Sequence, residues 1–122
     1  MHELSIAQAL VEQIEKVVTD ERARRATRVL IRVGALSGAE PEALRTAFPL
    51  AAQGTVAAGA ELVIERVEAR VLCRACGREA VTDGFFFVCE ACGSSDVELV
   101  SGRELHLQSA DIEVEERQVA DV

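Results

Sequence analysis

The N-terminal segment places apolar and polar residues with the spacing of an amphipathic helix. Glu12, Glu15 and Lys16 lie on one side and a row of apolar residues on the other. A period of about 3.6 residues is typical of a helix that packs on a core. Ser5 and Gln8 match a capping box, which predicts that the helix begins at Ser5. Its predicted buried face consists of Leu4, Ala7, Leu10, Val11, Ile14, Val17 and Val18.

A strand is predicted next, because the apolar spacing changes to every second residue. Val29, Ile31 and Val33 alternate with their neighbours up to Gly34, which is the pattern of a half-buried strand. The arginine-rich stretch 22–28 precedes these positions. It is interpreted as the solvated end of the first helix, where cations suit the helix dipole.

A second helix is predicted to open at Glu40-Pro41-Glu42. Proline suits the first turn of a helix, and acidic side chains favour its positive end. Pro49 lies inside the segment and is expected to kink or divide the helix. The predicted buried face consists of Leu44, Ala47, Phe48 and Ala51.

Two further strands are predicted, from Glu61 to Leu72 and from about Arg103 to Glu115. The apolar positions of the last strand change parity, which predicts a β-bulge near Gln108. The strands that flank residues 71–100 are expected to pair antiparallel, with this segment at the far end of a two-stranded arm.

Four cysteines form two CxxCG pairs within that segment, at 73–77 and 89–93. Thiolates two residues apart can bind one ion from a tight turn, and two such turns give the tetrahedral sulfur coordination of structural zinc. Asp83-Gly84 lies between apolar runs and predicts a hairpin that joins the two turns. The pattern predicts a zinc ribbon whose ligands are Cys73, Cys76, Cys89 and Cys92.

Other chemistry remains open for these cysteines. A single iron also binds four thiolates. Disulfides are disfavoured because no apolar signal segment opens the chain, which predicts a cytoplasmic protein. A redox dithiol usually has one CxxC on a βαβ scaffold, not two matched pairs.

The element order predicts an α+β fold, with two helices on a small three-stranded mixed sheet and an inserted zinc-ribbon domain. The predicted domains are residues 1–70 plus 101–122, and residues 71–100. The net charge is −8, and the ribbon contains five acidic and only two basic residues. Nucleic-acid binding is disfavoured because it depends on Lys and Arg against phosphates. No apolar run is long enough to span a membrane.

The start of the chain offers a second set of metal donors. The α-amine of Met1, the backbone nitrogen of His2 and the His2 imidazole can close two fused rings on one ion. Such a planar, nitrogen-rich set suits Ni(II) or Cu(II). Glu3 could add an auxiliary donor. The alternative interpretation is that His2 is a solvated side chain without a role.

The segments 1–5, 33–37 and 54–62, together with the paired CxxC turns, resemble the HypA/HybF family. The resemblance implies an accessory protein that helps insert nickel into the large subunit of [NiFe] hydrogenase and, in some organisms, into urease. It implies nickel at His2, helped by Met1 and Glu3, and structural zinc at the four cysteines. The implied partners are a nickel-binding GTPase, the hydrogenase large-subunit precursor and, in some organisms, urease accessory proteins.

Transfer of an ion, not catalysis, is therefore the predicted activity. The sequence contains no Ser-His-Asp or Cys-His nucleophile set and no phosphate-binding Gly-Lys-Ser/Thr loop. The predicted state is a monomer or weak homodimer that binds neither nucleic acid nor membrane. The alternative is a zinc-ribbon module for protein interaction or nucleic-acid binding, without nickel transfer. No role is assigned to Glu40 or His106.

Overall fold

A computed structural model of the chain describes residues 2–83 and 87–114. None of the helices within these ranges is long and apolar enough to cross a membrane. The elements are α1 (Glu3–Asp20), β1 (Ala23–Gly34), α2 (Pro41–Ala52), β2 (Glu61–Val67), β3 (Arg70–Cys73), β4 (Glu79–Val81), β5 (Val97–Ser101) and β6 (Leu105–Val114).

The first sheet has the order β2-β1-β6. The central strand β1 pairs parallel with β2 and antiparallel with β6, so Ile31 has Ile64 and Leu107 as its two Cα partners. This three-stranded mixed sheet and its two helices confirm the predicted fold class. We call the helices and this sheet the body.

The core of the body lies between the helices and one face of the sheet. Alternation along β1 places Val29, Ile31 and Val33 on that face, where each is at most 2% exposed. The helices contribute apolar side chains at helical spacing, among them Ile14, Leu44 and Phe48. The opposite face is polar, with cross-strand ion pairs such as Arg32–Glu65 at 2.8 Å.

The helices differ from prediction mainly at their ends. α1 begins at Glu3, not Ser5, and its N-cap is His2. Leu4, predicted to be buried, is 46% exposed. The helix α2 begins as predicted but continues past Pro49, which is neither its end nor a division. Pro49 lies in the last turns of α2, where the missing N–H removes a single bond to a carbonyl four residues earlier.

Two predicted strand boundaries are wrong. The stretch 23–28 belongs to β1 and not to a helix end, because Arg25 and Arg28 pair in register with residues of β6. The predicted strand from Glu61 to Leu72 is two strands in different sheets. The predicted bulge in the last strand is confirmed, since Leu30 pairs with Ser109 and Ile31 with Leu107, leaving Gln108 as the extra residue.

The predicted antiparallel pairing of the two strands that flank the ribbon segment is wrong, because β2 and β6 each pair with β1 and not with each other. The second sheet has the order β4-β3-β5, and its antiparallel pair β3 and β5 includes a strand, Val97–Ser101, that was not predicted. We call this sheet and its two cysteine turns the ribbon. The predicted hairpin at Asp83-Gly84 extends into residues 84–86, which lie outside the described residues, as do Met1 and Glu115.

The two sheets meet at a joint where backbones approach closely. A Cβ on Gly34 would lie 2.1 Å from the Gly102 carbonyl oxygen, and one on Gly102 would lie 2.6 Å from the Ala69 Cα. The Leu36 N–H donates to the Gly102 carbonyl at 2.7 Å. A side chain at either glycine would push the backbones apart. The close approach of Gly102 to Ala69 coincides with the gap between β2 and β3, where the predicted long strand is interrupted.

Candidate metal centre

Each cysteine pair occupies a tight turn of the same design. In the first, the Gly77 N–H donates to the Cys73 carbonyl at 2.8 Å, and the Cys73 N–H donates to the Arg78 carbonyl at 2.8 Å. Gly77 has a φ of 77°, a left-handed conformation that suits glycine because it lacks a Cβ. The glycine in the CxxCG pattern is therefore required by the turn.

The second turn repeats this geometry. The Gly93 N–H donates to the Cys89 carbonyl at 2.7 Å, the Cys89 N–H donates to the Ser94 carbonyl at 2.9 Å, and Gly93 also has a φ of 77°. Matched turns present their sulfur atoms towards a common centre.

The four sulfur atoms lie within 4.8 Å of one another. The Sγ atoms of Cys73 and Cys92 are 3.6 Å apart, as are those of Cys76 and Cys89. These distances exceed the ~2.05 Å of a disulfide. Tetrahedral zinc with Zn–S bonds of about 2.3 Å needs sulfurs about 3.8 Å apart, so the donor set fits zinc. The same set also suits a single iron.

Backbone donors also favour the thiolate form required for metal binding. The pKa of Cys89 is lowered to about 6, chiefly by the Cys92 backbone N–H, with the Ala91 N–H acting in the same direction and burial opposing them. N–H groups directed at sulfur stabilise its negative charge. A metal ion would meet at least one ligand that is already largely deprotonated at neutral pH.

Arg74, one of the two basic residues among residues 71–100, is paired with acids of its own chain. Its guanidinium donates to Asp96 at 2.9 Å and to Glu98 at 3.0 Å. Its backbone N–H also bonds to the Asp96 carbonyl at 2.9 Å. Arg74 therefore ties the first cysteine turn to β5 and offers little charge to a phosphate backbone.

Of the predicted nickel residues, His2 and Glu3 lie at the start of α1, and Met1 lies outside the described residues. His2 is exposed and non-helical, and its carbonyl accepts the Ile6 N–H at 3.1 Å. Within the described residues, the imidazole makes no capping hydrogen bond to the helix. The backbone of His2 is therefore fixed by α1, while its ring faces solvent.

Glu3 is 7% exposed and is the buried charged residue of the described chain. Its carboxylate accepts the Glu40 backbone N–H at 3.2 Å, which joins the starts of α1 and α2. The pKa of Glu3 is lowered, first by the positive amino terminus and then by the Glu40 N–H. Sequence reasoning missed this burial, although Glu3 shares the helical spacing of Ala7 and Leu10.

His106, the other histidine, is exposed on β6. Its Nε2 lies 3.1 Å from the Gln108 side-chain oxygen, and its Cα partner in β1 is Arg32. The His/Cys/Asp/Glu groups that could hold a metal in the described residues comprise the four cysteines, without His106.

Comparisons with known proteins identify the family of this chain. A family model described as "Hydrogenase/urease nickel incorporation, metallochaperone, hypA" matches residues 1–112. Hydrogenase maturation factor HypA of Chlorobaculum tepidum is 45% identical over 113 residues, covering 93% of this chain and 100% of the relative. The Aquifex aeolicus factor is 37% identical over 115 residues, covering 94% and 100%.

Solved structures support the same fold. A solution structure of HypA protein matches with a TM-score of 0.71 at 26% identity, covering 94% of this chain and 98% of that one. The Ni metallochaperone HypA from Helicobacter pylori matches with a TM-score of 0.67 at 24% identity, covering 93% and 98%. The chain therefore belongs to the HypA family of hydrogenase maturation factors, which are metallochaperones and not enzymes.

Proposed function

We propose that this chain binds Ni(II) at its N-terminus and helps to deliver the ion into the large subunit of [NiFe] hydrogenase, or into urease where that enzyme is present. His2 is the principal ligand, the α-amine of Met1 completes a chelate, and Glu3 has an auxiliary role. The observation that carries the proposal is the His2 imidazole, exposed at the start of α1 in a chain of the HypA family.

Position at a chain terminus suits a carrier that must release its cargo. The positive end of α1 opposes a divalent cation, so nickel affinity stays moderate. Protonation of the imidazole competes with nickel, and release is therefore favoured as pH falls. The Glu3 carboxylate accepts the Glu40 N–H. Its main contribution to the nickel site is therefore to hold the start of α1 beside α2.

The four cysteines hold structural zinc in this proposal. Zinc supplies the cross-link that lets a small ribbon fold, and its positive charge would stabilise the four sulfurs as thiolates. Residues 71–100 then form a separate zinc domain inserted in the nickel-binding domain 1–70 plus 101–122. We propose cytoplasmic delivery that involves a nickel-binding GTPase, the large-subunit precursor and, in some organisms, urease accessory proteins.

The test is a nickel titration of the zinc-loaded protein by calorimetry and visible absorption. The variants are His2→Gln and, as a matched control, His106→Gln, which removes the other histidine. Gln is large enough to keep Met1 in place, so only one ligand changes. Wild type and His106→Gln are expected to bind nickel with a planar-type spectrum, and His2→Gln is expected to lose it while retaining zinc.

Equal nickel binding by all three proteins would contradict the proposal. The chain would then act as a zinc-ribbon interaction module. A red protein that contains iron in place of zinc would instead change the assignment of the cysteine site.

A further inference from the structure

Little packing joins the body to the ribbon. Within the described residues, each ribbon strand packs mainly against other ribbon strands, and each helix or strand of the body packs mainly within the body. Two units of one chain that share a small interface are expected to move relative to each other unless something fixes them. The orientation of the ribbon on the body therefore depends on the two short segments that cross the joint, 68–69 and 102–104.

The first of these segments, which follows β2, is tied to the ribbon. The Ser101 hydroxyl, at the end of β5, donates to the Glu68 carbonyl at 2.8 Å. The residue just before the segment is tied to the body, because the Ala35 N–H donates to the Val67 carbonyl at 2.9 Å. Rotation of the ribbon would therefore turn the chain at the link between Val67 and Glu68.

The second segment is tied to the body at both ends. The Gly34 N–H donates to the Glu104 carbonyl at 2.6 Å, and the Leu36 N–H donates to the Gly102 carbonyl at 2.7 Å. Gly102 has a φ of 119°, a conformation that favours glycine because it lacks a Cβ. The matching point of rotation is therefore the link between Gly102 and Ser101, the last residue of β5.

The Glu104 side chain holds that second link in place. Its carboxylate accepts the Gly102 N–H at 2.7 Å, and this N–H belongs to the peptide group that joins Ser101 to Gly102. The pKa of Glu104 is lowered, first by its own N–H and then by that of Gly102, while burial opposes them. Hydrogen bonds to a charged acceptor are roughly twice as strong as those between neutral groups. A residue anchored to the body thus holds the last peptide group of the ribbon.

We infer that Glu104 is a latch that fixes the orientation of the ribbon on the body. With the carboxylate in place, the cysteine turns keep one arrangement relative to the helices. Without it, the ribbon rotates about the links Val67–Glu68 and Ser101–Gly102. The latch therefore presents both regions to a partner in a pre-organised arrangement, which lowers the entropic cost of binding to the two at once.

The test measures residual dipolar couplings of backbone amides in the zinc-loaded protein and in three variants. Glu104→Ala removes the carboxylate, Glu104→Gln keeps an oxygen acceptor, and Arg103→Ala truncates an exposed neighbour in the same segment. Amide couplings of a rigid molecule fit one alignment tensor, whereas two units that reorient separately need two. No nickel enters the measurement, so a failure here is distinct from a failure of the nickel proposal.

In the wild type and in Arg103→Ala, the body and the ribbon are expected to share one tensor. In Glu104→Ala, the ribbon is expected to need its own tensor, with smaller couplings than the body. The Gly102 amide should exchange with solvent about tenfold to a hundredfold faster, as loss of a hydrogen bond to a charged group would allow. Exchange in β1 and β3 should not change, and Glu104→Gln should lie between the wild type and Glu104→Ala.

One shared tensor in Glu104→Ala would overturn the latch. Equal changes in Arg103→Ala and Glu104→Ala would also overturn it, since any truncation in the segment would then free the ribbon. Loss of amide protection along β6 in Glu104→Ala would do the same, because Glu104 would then be needed to fold the strand and not to orient the ribbon. Two tensors in the wild type would show that the ribbon moves with the carboxylate in place, and would equally exclude the latch.

Discussion

The body and the ribbon are held together by different means. The body buries a continuous apolar core, in which Ile14, Ile31, Leu44 and Phe48 are at most 2% exposed. The buried residues among 71–83 and 87–100 are Val71, Cys73 and Cys89, and two of these three are candidate metal ligands. The difference indicates that burial of apolar surface stabilises the body, whereas the ribbon has too small a core of its own and would depend on the proposed metal.

The largest predicted difference between the ribbon and the body follows from the removal of one cysteine sulfur. Cys73→Ser leaves three thiolates and is expected to reduce zinc affinity by roughly a hundredfold to a thousandfold, because structural zinc binding contributes roughly 10–16 kcal/mol from four ligands. Amide hydrogen exchange should show loss of protection in β3 and β5, with protection of α1 and β1 retained.

The matched control for this prediction is Ala75→Ser, an exposed position in the same turn. It should retain zinc and the protection of both regions. Loss of amide protection throughout Cys73→Ser would show that the body does not stay folded without a folded ribbon. That result would contradict separate stabilisation of the two regions.

Truncation of a core side chain in the body should lower the stability of the protein and leave its zinc content unchanged. Phe48 is 2% exposed, and Phe48→Ala is expected to lower the free energy of unfolding by about 3–5 kcal/mol. Chemical denaturation measures the loss, and the zinc content of the folded protein should not change. Leu50→Ala, an exposed position of the same helix, should change stability by less than about 0.5 kcal/mol. Loss of zinc from folded Phe48→Ala would contradict the claim that the body and the ribbon are stabilised separately.

The smallest effect concerns an ion pair at the edge of the body. Arg25 donates to Glu113 at 2.7 Å and lowers the pKa of that carboxyl. A lowered pKa contributes stability that is present above the ordinary carboxyl value of 4.5 and is lost as pH falls through the folded value. The stability difference between wild type and Glu113→Gln should therefore shrink as the solution is acidified.

Denaturation curves at neutral and acid pH measure this difference. Glu12→Gln changes a surface acid that has no ion pair in the described part of the chain, and its difference from wild type should not follow the same trend. A difference for Glu113→Gln that grows on acidification would contradict the assigned sign.

Local patterns predicted those features that depend on short-range spacing. The alternation of Val29, Ile31 and Val33 predicted the buried face of β1, and the parity change in the last strand predicted the bulge at Gln108. The CxxCG repeats predicted two turns. Each of these signals is contained within a few residues, so no distant partner was needed to find it.

Features that depend on distant contacts could not be predicted in this way. The break after Val67 follows from the approach of Gly102 to Ala69, residues more than thirty positions apart. Arg25 and Arg28 belong to a strand because distant residues of β6 and β2 pair with them in the sheet. The burial of Glu3 depends on the Glu40 N–H at the start of another helix.

The ribbon also affects how easily the body can be assembled. It lies between β2 and β6 in the sequence, and β6 must return to pair with β1. Arg70 and Ser101 are Cα partners across the ribbon sheet, so a folded ribbon holds both ends of the insertion together. Closing an unstructured loop of this length would cost roughly 3 kcal/mol of chain entropy. If zinc folds the ribbon as proposed, it would therefore lower the entropic barrier to a strand pairing in which it takes no direct part.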